Sequence, residues 1–152
     1  VQTKFNTDWA WGEPARMTAK TFINKRAPAY MFQFGYVPAA IRERARYGAG
    51  HGSDIAFVFN TLNARWGAPP EASPEEKELA RIMSTYWTNF AKSGNPNGED
   101  VPSWPLYDIQ KEEIMDVDLG GRVQSKPDPR KARLNVIEKA FKKRERLQSR
   151  GI

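Results

Sequence analysis

Cysteine is absent from the sequence, and its absence excludes several kinds of chemistry. Without it the chain can form no disulfide framework, use no thiol nucleophile and hold no cysteine-ligated metal. Histidine is almost absent as well, because His51 is the single histidine among 152 residues. A metal site would therefore depend on carboxylates, and neither a His-Glu-x-x-His pattern nor a calcium-loop pattern occurs. We expect no metal and no cofactor.

Long apolar runs and targeting signals are missing too. No stretch is apolar for long enough to span a bilayer, and no signal-peptide pattern opens the chain. We therefore expect a soluble protein without a membrane span, for which the cytoplasm and bacterial export both remain open. The first residues contain no methionine, which is typical of the interior of a longer sequence or of a processed product.

Charge is distributed unevenly along the chain. The net charge is +6, but the segment from Lys126 onward carries ten basic and three acidic residues, a net of +7. Residues 1–125 are therefore close to neutral. A hydrophobic content of 39% argues against a disordered chain, and the length predicts one domain with a buried core.

The clearest secondary-structure signal is a helix that begins after Ser73. Ser73, Pro74 and Glu76 stand at the N-cap, first and third positions of a capping box. Apolar residues then recur at helical spacing, and Gly94 is suited to end the helix.

An aromatic run at residues 29–36, bounded by Pro28 and Pro38, predicts a strand. Both faces of this strand are mostly apolar, which favours a place inside a mixed or parallel sheet. Weaker patterns predict helices at residues 8–25, interrupted near Gly12, at 55–59 and from Asp128 onward, strands at 113–117 and 122–125, and a loop at 64–72.

His51 is the strongest candidate for a catalytic residue. Its ordinary pKa of about 6.5 lets an imidazole accept and return a proton near neutral pH. Gly50 and Gly52 flank it on an irregular loop, which leaves the ring unshielded by its neighbours. Two glycines at these positions would also let another segment of backbone approach closely. The alternative, which the residues taken alone favour, is a surface-loop histidine with no special partner.

A serine nucleophile is not evident. The sequence contains no Gly-x-Ser-x-Gly pattern, so it has no nucleophile elbow. Ser53 lies two residues from His51, but its neighbours do not form a strand-to-helix elbow, and we interpret it as a loop or capping residue. The chain alone is not expected to assemble a serine triad.

The basic segment raises the question of nucleic acid, since clustered Lys and Arg can neutralise phosphates. No RNP motif, zinc finger or other nucleic-acid module accompanies it. We therefore expect a solvated helix face or terminus, and we do not expect nucleic acid as a partner.

Five stretches together resemble one known family, and they occur in the order of that family. They are residues 7–16, 28–34, 48–59, 86–98 and 104–107, of which 48–54 read Gly-Ala-Gly-His-Gly-Ser-Asp. The chain resembles the C-terminal part of the type-B carboxylesterases, α/β-hydrolases related to para-nitrobenzyl esterases and cholinesterases. The likeness extends from about Thr7 to Val136, and the residues from Lys142 onward match nothing in the family.

The resemblance implies an α/β fold that is the C-terminal portion of an α/β-hydrolase, with the last core strands and their packing helices. Residues 1–141 would belong to the catalytic domain, and residues 142–152 would form a basic tail. Such a portion is incomplete without an upstream segment. In this fold the triad follows the order Ser, Asp or Glu, His, so the nucleophile and the acid are expected upstream.

The resemblance also implies roles for the residues of the histidine loop. His51 would be the catalytic histidine, Gly50 and Gly52 would permit the loop geometry, and Asp54 would give structural support. Residues that would face the substrate cavity are Tyr47, Ser53 and Phe57. The implied activity is hydrolysis of small-molecule carboxylic esters.

Two further expectations concern partners. The N-terminal portion of the same esterase is the expected partner, either in one polypeptide or as a separate chain. The alternatives are a non-catalytic fragment, or a binding module whose basic tail contacts an acidic partner.

Overall fold

Residues 2–64 and 71–149 are described by the computed structural model, and they divide into two units. Unit 1 takes in the described residues of 1–31, 106–113 and 127–152, and unit 2 those of 32–105 and 114–126. The α-helices are, in chain order, α1 (Gln2–Thr7), α2 (Glu13–Asn24), α3 (Ile55–Val58), α4 (Pro74–Ser93) and α5 (Lys131–Gln148). The strands are β1 (Phe32–Phe34), β2 (Glu113–Val117) and β3 (Val123–Pro127).

In unit 1, α1 and α2 form one nearly continuous helix. A π-helical turn, Asp8–Gly12, joins them at the predicted interruption. The helix begins at Gln2, earlier than the predicted residue 8, because Thr7 is itself helical and its hydroxyl donates to the Thr3 carbonyl. A Cβ at Gly12 would lie 3.2 Å from Leu134 Cδ2 on α5, so the absent side chain permits close packing of these helices.

Helix α5 completes unit 1 and buries Leu134 and Ile137, as its apolar spacing predicts. Asp128 stabilises the turn before α5, because the Asp128 Oδ1 accepts the Arg130 backbone N–H at 2.8 Å. The helix continues to Gln148, so the division of the chain at residue 142 marks a change of composition within one helix. That division stays a prediction.

Unit 2 contains a three-stranded mixed sheet in the order β1-β2-β3. Strand β1 pairs parallel with β2, with Phe32 opposite Met115 and Phe34 opposite Val117. Residues 118–122 connect β2 to β3, which is too short for a parallel crossover, so this pair is antiparallel. Strand β1 is shorter than the predicted residues 29–36.

Helix α4 of unit 2 confirms the prediction from local signals. Ser73 Oγ accepts the Glu76 N–H at 3.2 Å, and Glu76 Oε2 accepts the Ser73 N–H at 3.0 Å. Gly94 ends the helix with a left-handed φ of 73°. The core of the unit joins α4 to the sheet and α3 through buried side chains of Tyr36, Phe57, Leu79, Met83 and Val117.

Two further predictions concern a loop and membrane-spanning segments. The predicted loop at residues 64–72 falls mostly at 65–70, outside the described residues. Within the described ranges, none of the helices combines the length and apolar character needed to cross a bilayer.

Candidate functional site

The His51 loop, residues 42–54, connects the β1 side of unit 2 to α3. It begins beside the buried residues Tyr36 and Val37. The Arg42 guanidinium then donates to the Val37 carbonyl at 3.1 Å and so ties the start of the loop to the end of the strand segment. Gly48 has φ 84°, which is the left-handed conformation that side chains other than glycine rarely adopt.

His51 lies in the first of two successive backbone turns. The Ser53 N–H donates to the Gly50 carbonyl at 3.2 Å, and the Ile55 N–H donates to the Gly52 carbonyl at 3.2 Å. His51 is the second residue of the first turn and Gly52 the third, with φ 73°. A positive φ at the third position is what a type II turn requires, and it accounts for glycine there.

Gly50 differs from Gly52 in its surroundings. Its φ lies outside the left-handed region, and a Cβ built on it would meet no atom within 4 Å among the described residues beyond its chain neighbours. The chain's own structure therefore requires glycine at residue 52 and leaves space for a side chain at residue 50. The predicted role of Gly50 in admitting another backbone stays a prediction.

Phe57 anchors the far end of the loop to the core of unit 2. Its side chain is 1% exposed, and its ring centroid lies 5.3 Å from that of Phe34 and 5.4 Å from that of Tyr36. Helix α3, which carries it, packs against α4. These contacts are those of a core residue, and the predicted place of Phe57 in a substrate cavity stays a prediction.

The other candidate residues lie near the surface. His51 is exposed, Tyr47 is 78% exposed, and Ser53 and Asp54 are half-buried. The Asp54 side chain makes no capping hydrogen bond, but its carbonyl accepts the N–H groups of Phe57 and Val58. Asp54 therefore supports the loop through its backbone, and the role predicted for its carboxylate stays a prediction.

The arrangement presents an imidazole to solvent on a loop fixed at both ends. Such a group can take a proton from a nucleophile brought against it and return that proton to a leaving group. The described residues contain no group of three His, Cys, Asp or Glu side chains that could hold a metal ion.

A buried ionic cluster in unit 1, centred on Arg16, was missed by sequence reasoning. Arg16 is 1% exposed, and its guanidinium donates to Glu13 at 2.8 Å, Glu112 at 3.1 Å and Glu138 at 3.1 Å. The Lys20 ammonium adds a bond of 3.1 Å to Glu138. Only the Glu13–Arg16 spacing is visible as a local pattern, because Glu112 and Glu138 lie 96 and 122 residues away.

The carboxylates of this cluster differ in their acidity. Burial raises the pKa of Glu13, and the hydrogen bond from Arg16 opposes that effect. The pKa of Glu138 is lowered to about 2, chiefly because its carboxylate accepts hydrogen bonds from Lys142 and Lys20. The cluster joins α2 to α5 through charged hydrogen bonds.

The model of the carboxylesterase family matches residues 2–136, which include the whole His51 loop. The chain belongs to the carboxylesterase family. Helix α5 is only partly covered by this match, and the basic residues of its second half lie beyond the matched range.

Curated relatives are similar over most of the chain. Carboxylesterase 1C of Rattus norvegicus is 36% identical over 113 residues, which are 73% of this chain and 20% of the relative. Pyrethroid hydrolase Ces2a of Mus musculus is 36% identical over 110 residues, which are 71% of this chain and 19% of the relative. The chain thus spans about a fifth of the length of these carboxylesterase relatives.

Solved esterase structures match the fold of the chain. A thermophilic PNB esterase covers 73% of the chain with a TM-score of 0.59 and 28% identity, using 22% of its own length. A carboxylesterase of Geobacillus stearothermophilus covers 79% with a TM-score of 0.58 and 27% identity, using 24% of its own length. These matches confirm the predicted α/β-hydrolase class, of which the mixed sheet and its helices are a part.

Proposed function

We propose that this chain is the C-terminal part of a serine carboxylesterase and that His51 is the general base of that enzyme. The observation that carries the proposal is the family match across the His51 loop, in a chain with a single histidine. The exposed position of His51, on a loop anchored by Phe57, supports it further.

The proposed enzyme draws its other catalytic groups from upstream of this chain. His51 takes the proton of an upstream Ser as its oxygen attacks the ester carbonyl, and then gives that proton to the departing alcohol. A water molecule next loses a proton to His51 and attacks the acyl carbon. His51 then returns that proton to the Ser oxygen as its bond to the acyl carbon breaks, which releases the carboxylic acid. An upstream Glu or Asp orients the imidazole throughout.

The N-terminal portion of the esterase is the proposed partner, and a small carboxylic ester is the proposed substrate. An incomplete sheet supports the first proposal, because the described residues pair β1 with a single strand, β2. A parallel sheet is stable when its strands are paired and both faces are covered. The upstream portion would supply that cover.

Replacement of His51 by glutamine in the full protein tests the assignment. We expect hydrolysis of a para-nitrophenyl ester to fall roughly ten-thousand-fold, because the nucleophile loses its base. The thermal unfolding midpoint should be unchanged, since the side chain is exposed.

Glu43→Gln is the matched control on the same loop, at an exposed residue. It should keep most of the activity, because Glu43 is assigned no role in catalysis or substrate binding. A loss in Glu43→Gln as large as that in His51→Gln would count against the assignment, as would near-normal turnover in His51→Gln.

A further inference from the structure

The outward face of α5 carries a charge that the proposed esterase chemistry does not use. The helix contains seven basic and two acidic residues, and most of the basic ones lie in its second half. That half lies beyond residue 136, where the family match ends. Its charge is therefore not explained by the shared catalytic domain.

Four of these cations have no paired carboxylate within residues 2–64 and 71–149. Among the described residues, no ion pair involves the side chains at Lys139, Lys143, Arg144 or Arg146, all of which are exposed. By contrast, Lys142 is paired with Glu138 at 2.6 Å. Like charges this close along a helix repel one another unless a negatively charged surface neutralises them.

Apolar side chains accompany the cations on the same face. Val136 is 66% exposed and Leu147 is 40% exposed, and Ala140 is exposed between them. Spacings of four and seven residues place these three along one stripe, which flanks the side of the helix that buries Leu134 and Ile137.

The cations form a second stripe beside the apolar one. Lys139, Lys143 and Arg146 follow one another at intervals of four and three residues, next to Val136 and Leu147. The exposed side of α5 is therefore itself amphipathic, while its inner side packs in unit 1.

This pairing of stripes distinguishes between anionic partners. A nucleic acid would bind the cations through its phosphates and gain little from exposed aliphatic groups. An anionic lipid surface would bind both, since headgroups neutralise Lys and Arg while aliphatic side chains enter the boundary of the acyl region.

We propose that the outward face of α5, defined by Val136, Lys139, Ala140, Lys143, Arg146 and Leu147, binds the surface of an anionic phospholipid membrane. The helix lies flat on the headgroups, with the basic stripe against phosphate and carboxylate groups and the apolar stripe below them. This binding is peripheral, and it is independent of the ester chemistry assigned to His51.

Vesicle sedimentation of the full protein tests the proposal. We expect binding to phosphatidylcholine vesicles that contain phosphatidylserine, no binding to pure phosphatidylcholine vesicles, and release as salt is raised. The variant Lys139→Glu/Lys143→Glu/Arg146→Glu should lower the partition coefficient by at least roughly 100-fold, since loss of each cation alone costs about fivefold. Equal binding to the two vesicle types would overturn the proposal.

Two further variants separate a specific face from net charge and from nucleic-acid binding. Lys25→Glu/Lys92→Glu/Lys111→Glu makes the same change of charge at exposed sites outside α5 and should keep nearly full binding. Val136→Ser/Leu147→Ser keeps every charge and should weaken vesicle binding several-fold, with retention on duplex DNA unchanged.

Three further results would overturn the proposal. Equal loss in the two charge-reversed variants would indicate binding by net charge alone. Unchanged vesicle binding by Val136→Ser/Leu147→Ser would show that the apolar stripe does not contribute to binding. Tighter binding to DNA than to phosphatidylserine vesicles would assign the face to nucleic acid.

Discussion

At the scale of single residues, the two glycines beside His51 are subject to different constraints. Gly52 adopts φ 73°, and a Cβ on it would lie 3.3 Å from Ile55 Cδ1. Gly50 has a φ outside the left-handed region, and the described residues leave space for a Cβ there. The sequence showed the Gly-His-Gly pattern, but backbone angles and neighbouring atoms were needed to separate the two roles.

Alanine substitutions should separate these roles by experiment. Gly52→Ala should lower the free energy of unfolding by about 1–2 kcal/mol, because alanine is strained at a positive φ. Gly50→Ala should leave the stability of this chain nearly unchanged and still lower the esterase activity of the full protein, where upstream backbone is proposed to approach. Urea unfolding measures the effect on stability, and ester hydrolysis measures the effect on activity. Full activity in Gly50→Ala would argue against a close approach of upstream backbone to residue 50.

Glu138 should make stability depend on acid pH in a defined direction. Its pKa falls from an ordinary value near 4.5 to about 2 on folding, so its ion pairs stabilise the fold above the ordinary value. This stabilisation is lost as the pH falls toward 2. Glu13 acts in the opposite direction, because its raised pKa means that protonation in acid relieves the cost of burying its charge.

The variant Glu138→Gln isolates the first of these effects. It should be less stable than the parent by about 2 kcal/mol at neutral pH, and the difference should shrink steadily as the pH is lowered below about 4. Urea unfolding at a series of pH values gives the comparison. A difference that stays constant down to pH about 2 would contradict the lowered pKa.

At the scale of elements, the sequence predicted the ends of a helix well and the length of a paired strand poorly. Helix α4 begins and ends where its capping box and Gly94 indicate, because both signals act within a few residues. Strand β1 was predicted over residues 29–36 and forms only at Phe32–Phe34, since its length depends on β2, some eighty residues later. The Arg16 cluster escaped prediction for the same reason.

The caps of α4 should each contribute a measurable part of its stability. Ser73→Ala removes one oxygen that accepts the Glu76 N–H and should cost about 1 kcal/mol. Gly94→Ala forces a side chain into φ 73° and should cost a similar amount. The two ends are well separated, so the double variant should lose the sum in urea unfolding. A cost near zero for both would contradict the cap assignments.

At the scale of the whole molecule, the chain is a fifth of a carboxylesterase in length and carries one histidine. The family, the α/β-hydrolase class and the mixed sheet were all predictable, because motifs spread along the chain agree in order. The residues that would act with His51 in catalysis could not be identified from the sequence, since the proposed nucleophile and acid lie outside it. The proposed contribution of this chain to the enzyme is therefore its catalytic base, His51.

Co-expression of the upstream portion with this chain as a separate polypeptide tests that account most directly. We predict that the upstream portion with the unaltered chain hydrolyses para-nitrophenyl esters, and that the same portion with the His51→Gln chain associates equally but is at least roughly a thousand-fold less active. Equal activity from the two pairs would show that the catalytic base lies elsewhere and would contradict the central claim.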